Sequence, residues 1–236
     1  MNLRCLYANG YESRSTLDHF VAHYDDDTIT REQIFHYVYA VLHHPDYRAR
    51  YAENLKRELP RIPLTGTAQD FHALATAGRK LADLHVGYES VKPFKLKRIE
   101  NHAMPPNWRV EAMKLTKEGD AVIYNDWLTL HGLPPEAHAY RLGNRSALAW
   151  VIDQYRVDRD VDGEMLSDPN PPDDEEALVR LLGQVVTVSV ETMKLVRGLP
   201  ELRLDATTGQ VDTAPAEASA AHFHFAHEEP EPYGDK

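Results

Sequence analysis

The 236-residue sequence has a single cysteine, Cys5, and no run of about 18 apolar residues, the length a helix needs to cross a bilayer. One cysteine excludes an internal disulfide framework and fits a reducing cytoplasm, the expected location. The start, MNLRCLYANGYESRS, lacks the apolar core of a secretory signal. Common catalytic patterns are also missing: no Gly-x-Ser-x-Gly elbow, no Gly-x-x-x-x-Gly-Lys-Ser/Thr phosphate loop, no Cys-x-x-Cys pair, and no glycine-rich turn for a methyl donor. No catalytic residue is therefore assigned. At this length one sizeable core, or a domain with a subdomain, needs neither metal nor disulfide to fold.

Charge is present, but unevenly. The net charge of −11 argues at first against a polyanionic partner. Yet residues 1–157 hold 20 Lys+Arg against 19 Asp+Glu, while residues 158–236 hold 6 against 18. Acidity belongs to the C-terminal third. A denser basic set runs from Arg48 to Arg98 and includes Arg50, Lys56, Arg57, Arg61, Arg79, Lys80, Lys92, Lys95 and Lys97. On charge alone, such a set is most often a solvated helix face.

Residues 1–28 mix aromatic and polar residues without a clear period and read as a lead-in. Thr30 and Gln33 have the spacing of a capping box, so a helix starts there. Its stripe is Ile34, Val38, Val41 and Leu42, widened by Phe35, Tyr37 and Tyr39. Pro45 ends it and opens a second, basic helix over 46–58 with Tyr47, Tyr51 and Leu55 on one face. Thr67 and Asp70 cap a third helix to about Leu84, with Phe71, Leu74, Leu81 and Leu84 inward. From residue 93 the period shortens: FKLKRI, WRVEAMKL, AVIYN and WLTLHG predict strands, with KEGD at 117–120 as a hairpin turn. A helix over 146–155, a loop over 158–173 and a long helix over 174–197 complete a domain spanning 29–200. TVSVET, inside that last helix, has strand propensity. Residues 201–236 form an acidic tail, poor in apolar residues and expected to be disordered. The expected class is α+β: a helical hairpin and further helices packed with a small antiparallel sheet.

DPNPPDD, residues 168–174, contains an Asn-Pro-Pro tetrad like that of amino-methyltransferases, but its fourth residue is Asp173, which cannot stack on a base. Proline pairs mostly punctuate loops, and a loop is the reading adopted. His222, His224 and His227 could bind a divalent metal, but a tail offers no scaffold, so no metal site is assigned. His43 and His44 point apart on a helix end and suit capping. Asn101, His102, Asn107, Trp108, Arg109, Asn125, Asp126 and Trp127 gather at predicted strand ends. Arg and Asn pair with guanine and adenine edges, but on residue type alone ordinary turn chemistry is the preferred reading.

The stretch IFHYVYAVLHHPDYRARYAENLKRELPRIPLT, residues 34–65, resembles the C-terminal specificity domain of Type ISP restriction-modification enzymes. AGRKLADLHVGYE at 77–89, VIYNDWLTLHGLPPEAHAYRLGNRSALAWVIDQYRV at 122–157 and VVTVSVETMKLVRGLP at 185–200 extend the resemblance in the same order. It implies a DNA target-recognition domain whose relatives carry a nuclease, an ATPase motor, a coupler and an adenine-N6 methyltransferase upstream in one chain. S-adenosylmethionine, ATP and Mg would belong to those absent parts, leaving no cofactor for this chain. The sequence is then a fragment, a split subunit or a remnant.

Double-stranded DNA and a methyltransferase domain, in cis or in trans, are the implied partners, with no membrane. From charge and residue type, Arg48, Arg50, Lys56 and Arg57 are candidate phosphate contacts, with Lys92, Lys95, Lys97 and Arg98 as a second group. Asn107, Arg109, Asn125 and Arg145 are candidates for groove contacts. Two alternatives stand beside this: an interaction subunit that docks on a methyltransferase without binding DNA alone, and a metal-dependent hydrolase using the tail histidines.

Overall fold

In the computed structural model, which describes residues 16–204, the chain turns helical earlier than its sequence predicts. Residues from the expected lead-in form helix α1 (Thr16–Tyr24), because Phe20 is buried against Tyr37 and Phe71. Helix α2 (Arg31–His43) begins where the capping box places it: Thr30 Oγ1 accepts from the Gln33 amide at 3.1 Å, and Gln33 Oε1 accepts from the Thr30 amide at 2.8 Å. Ile34, Tyr37 and Val41 are buried, whereas Phe35 is 46% exposed, outside the inward face it was expected to widen.

Helix α3 (Pro45–Arg50) is shorter than expected. The Tyr47 ring meets Tyr51 at 4.9 Å in a tilted contact, and its hydroxyl donates to the Arg61 carbonyl at 2.8 Å. That contact folds the proline-rich RIPLT segment back over the aromatic pair, so only one 3-10 turn (Asn54–Lys56) follows. Helix α4 (Ala68–Val86), capped by Thr67, lies on α2 at Gly78. A Cβ there would sit 1.8 Å from the His36 carbonyl oxygen, so the two backbones touch where no side chain fits.

The second lobe is a four-stranded antiparallel sheet, β1 (Lys97–Glu100), β2 (Lys114–Leu115), β3 (Ala121–Ile123) and β4 (Leu128–His131), in the order β1-β4-β3-β2. KEGD makes the β2–β3 turn, and Gly119 takes the positive φ of 74° that it requires. The register puts Arg98 opposite Leu130 and Lys97 opposite His131. Alternation then sends Val122, Leu128 and Leu130 to the core and Lys97, Ile99, Ile123 and Lys114 to the outer face.

A short helix α5 (Glu136–Ala139), the ribbon of β5 (Arg141–Leu142) and β6 (Arg145–Ser146), and helix α6 (Ala147–Gln154) follow. Residues 158–173, expected as a loop throughout, include a hairpin of β7 (Asp158–Arg159) and β8 (Met165–Ser167), turned by Gly163 at a φ of 85°. Helix α7 (Ala177–Arg197) is continuous through TVSVET, where burial of Val185, Val186, Val188, Ser189 and Thr192 overrides strand propensity.

α7 also joins the lobes. His85 bonds Tyr39 Oη at 2.6 Å and Thr192 Oγ1 at 2.8 Å, and Gln184 donates to the Glu89 carbonyl. The chain then returns to the helical lobe. His44, which accepts from the Asp46 amide through Nδ1, donates from Nε2 to the Pro200 carbonyl at 3.0 Å. Leu204 bridges to Thr65, so the first residues of the expected tail lie on the fold. Cys5, the remainder of the tail and its histidines lie outside the described residues. Among the described residues no helix is long and apolar enough to cross a membrane.

Candidate nucleic-acid interface

The two basic groups read from the sequence lie on different lobes. Arg48 and Arg50 project from α3, with Arg50 5.6 Å over the Tyr51 ring. Lys56 pairs with Glu53 at 2.7 Å, and Arg57 is exposed beyond the 3-10 turn. The second group occupies an exposed strap leading into the edge strand β1: Lys92, Lys95, Lys97 and Arg98. Hydrogen bonds pin this strap to α7. Gln184 Nε2 donates to the Glu89 carbonyl at 2.5 Å, Thr187 Oγ1 to the Lys92 carbonyl at 2.8 Å, and the Phe94 amide to the Gly183 carbonyl at 2.9 Å. Gly183 permits the approach, since a Cβ there would meet the Pro93 Cβ at 2.9 Å.

Arg98 differs from its lysine neighbours. Its guanidinium lies 5.2 Å from the Trp108 ring centroid and pairs with Glu176 at the N-terminal end of α7. Trp108 itself meets Trp127 edge-on at 4.9 Å. Two open clefts, each of about 510 Å³, flank this arrangement. One is lined by Trp108, Arg109, Asp168, Asn170, Asp174 and Glu175 and is acidic in balance. The other is lined by Phe94, Lys95, Arg98, Glu176, Val179 and Arg180 and is basic.

The four groove candidates divide by what already holds them. Every hydrogen-bonding position of the Asn125 amide is occupied within the chain: Oδ1 accepts from the Trp127 and Leu128 amides, and Nδ2 donates to the Asn107 and Arg109 carbonyls. It builds the β3–β4 turn. Arg109 is committed to Asp168 at 2.8 Å and Glu111 at 3.1 Å, and Glu111 reaches Arg159 at 3.3 Å. This charge chain ties the β7–β8 hairpin to the strand-end loop. Asn107 is exposed with its Oδ1 accepting from the Arg109 amide, and Arg145 pairs with Asp153 at 2.7 Å on an exposed surface.

DPNPPDD is a clamp in the same region. Asn170 Oδ1 accepts from the Val110 amide at 2.8 Å and Nδ2 donates to the Val110 carbonyl at 2.9 Å. Asp168 accepts from the Asn170 backbone and side-chain amides and from Arg109, which together hold its carboxyl down at about 2. Sequence reasoning missed this partnership, and also Glu176 and Arg180, which line the basic cleft. Among the described residues no group of three or more His, Cys, Asp or Glu side chains converges as a metal site.

The family model of the Type ISP C-terminal specificity domain matches residues 13–181. No curated protein matches the sequence. Among solved structures, a nuclease-deletion mutant of the Type ISP enzyme LlaGI in complex with a DNA substrate mimic is 38% identical, with a TM-score of 0.65 over 76% of this chain. The ATP-dependent Type ISP enzyme LlaBIII bound to DNA is 32% identical, with a TM-score of 0.68 over 86%. The DrdV–DNA complex is 39% identical, with a TM-score of 0.65 over 78%. The chain covers only 14%, 13% and 19% of those three chains, respectively. With the model spanning most of its length and the fold shared at these identities, the chain belongs to the Type ISP C-terminal specificity domain family.

Proposed function

We propose that this chain recognises a DNA sequence on behalf of a restriction-modification methyltransferase. The observation that carries the reading is the fold match to three proteins solved with DNA or a DNA mimic, two of them Type ISP restriction-modification enzymes, at 32–39% identity. The division of labour is physically sensible. Chemistry on a base requires its extrusion from the stack, whereas site selection requires contacts with groove edges and phosphates. This domain supplies the second. The nuclease, motor and methyltransferase activities, with their S-adenosylmethionine, ATP and Mg, belong to partner domains acting in cis or in trans, in the reducing cytoplasm that a single cysteine suits.

Within this reading, Arg48, Arg50, Arg57, Lys92, Lys95 and Lys97 carry phosphate contacts, none of them held in an ion pair among the described residues. Lys56 contributes after exchanging its Glu53 partner, and Arg98 through the guanidinium donors that Glu176 leaves free. Asn107 and Arg145, exposed at loop and ribbon positions, are the groove readers; Arg109 and Asn125 position the loops beside them.

Selection of randomised duplex DNA by the purified chain, at low and moderate salt, tests the proposal. Enrichment of one short site, with affinity falling steeply as salt rises, is the expected result. A folded chain that retains no duplex would overturn it and move the methyltransferase-docking alternative to first place.

A further inference from the structure

The basic cleft between the 93–98 strap and the start of α7 gathers two of the proposed phosphate contacts, Lys95 and Arg98, in a construction unlike that of a solvated surface. Its walls are fixed. The strap is bonded to α7 at Lys92 and Phe94, and Arg98 is held between the Trp108 face and Glu176. Three cations line the cleft, Lys95, Arg98 and Arg180, and two carboxylates answer them: Glu176 pairs with Arg98 and Asp174 with Arg180. Lys95 has no carboxylate partner among the described residues. The positive surplus therefore sits on a side chain carried by a rigid backbone. Arg98 uses one guanidinium nitrogen for Glu176 and keeps further N–H donors for an oxyanion beside Lys95. Phe94, Leu96, Leu130 and Val179 supply an apolar floor that lowers the local dielectric and strengthens any charge pair formed there.

Resting on the DNA-recognition reading, we infer that this cleft is a fixed docking site for one backbone phosphate of duplex DNA, held by Lys95 and Arg98 with Arg180 behind them. It sets the register of the domain on the duplex and carries no base preference of its own. The neighbouring acidic cleft repels the backbone, so the phosphate has one place to sit at this end of the sheet. Lys97, next along the strap and facing the other side of the sheet edge, meets a different phosphate.

The test combines substitution with phosphate ethylation interference on the full chain, using the duplex obtained by selection and, as a fallback, a mixed-sequence duplex at low salt. Lys95→Gln is expected to weaken binding of all duplexes several-fold and to lower the salt slope by about 0.9, the value for one phosphate, with the selected sequence unchanged. Lys95→Arg restores both. Ethylating a single phosphate weakens the wild type and costs Lys95→Gln measurably less, the remainder being the contact that Arg98 still makes. Lys117→Gln, at the β2–β3 turn, leaves that phosphate as sensitive as in the wild type. If the wild type binds DNA and Lys95→Gln shows the same slope and the same interference profile, the cleft assignment fails while DNA recognition stands. If the folded wild type binds no duplex, both fail.

Discussion

The side-chain amide of Asn170 bonds both backbone groups of Val110, which lies 60 residues earlier in the chain and is fully buried. A side chain here replaces a strand: it satisfies one donor and one acceptor as a β-neighbour would. Asn170→Ala leaves both groups without partners in a buried setting, where each costs about 1–3 kcal/mol. The expected outcome is a lower urea midpoint with an unchanged slope, and faster hydrogen exchange at Val110. Asn170→Asp should be nearly as harmful, since a carboxylate cannot donate to the Val110 carbonyl. A midpoint unchanged in both variants would refute the clamp.

Gly78 is the crossing point of α2 and α4, and the 1.8 Å separation from the His36 oxygen leaves nothing that can yield except backbone. Gly78→Ala raises helix propensity, which alone would stabilise by about 1 kcal/mol. Overpacking wins here, with an expected net loss of about 2 kcal/mol or more. Thermal unfolding of the variant decides the sign.

His85 gives the fold a dependence on pH. Burial, with a smaller contribution from His43, depresses its folded pKa from 6.5 to about 4; burial likewise lowers His43. The unfolded chain takes up a proton near pH 6.5 while the folded chain resists until about 4, so stability is complete above 6.5 and falls as pH drops through that window. Urea midpoints at pH 7.5 and 5 should differ in that direction. His85→Gln, which keeps a polar group between Tyr39 and Thr192, should flatten the difference. A variant with the wild-type pH dependence would assign the effect elsewhere.

The candidate contacts predict two kinds of failure. Replacing Arg57 or Lys92 with Gln should lower the salt slope by about one for every sequence, and replacing Asn107 or Arg145 with Ala should relax one site position by about 1–3 kcal/mol. Asn125→Ala and Arg109→Ala should instead disturb folding before recognition, visible as a lower melting temperature without DNA. Arg109→Ala changing specificity at full stability would return that residue to the groove readers.

What the sequence revealed was mostly local. Thr30, Thr67 and Ser146 announce their helices because a cap is complete within three residues, and Gly119 announces its turn because a positive φ is a property of one residue. α1 escaped notice because its helical status depends on Phe20 meeting Phe71, 51 positions away. The site divided on the same ground. Basic residues are visible in any sequence, but the commitment of Arg109 to Asp168, or of Asn125 to four neighbours, exists only once distant segments meet. TVSVET is the converse case: a local preference for strand overruled by the core around α7.

Thr65 receives both ends of the described chain. The Tyr24 hydroxyl bonds its amide and its Oγ1, and Leu204 pairs with it from the other end. On a ribosome, the helical lobe is translated first but lacks its closing segment until the sheet, both ribbons and α7 have all emerged. Synthesis order and completion order are therefore inverted. A chain ending before residue 199 would leave uncovered the apolar seat that Leu199 and Leu202 occupy on the helical lobe, an exposed surface of the kind that drives aggregation of incomplete folds.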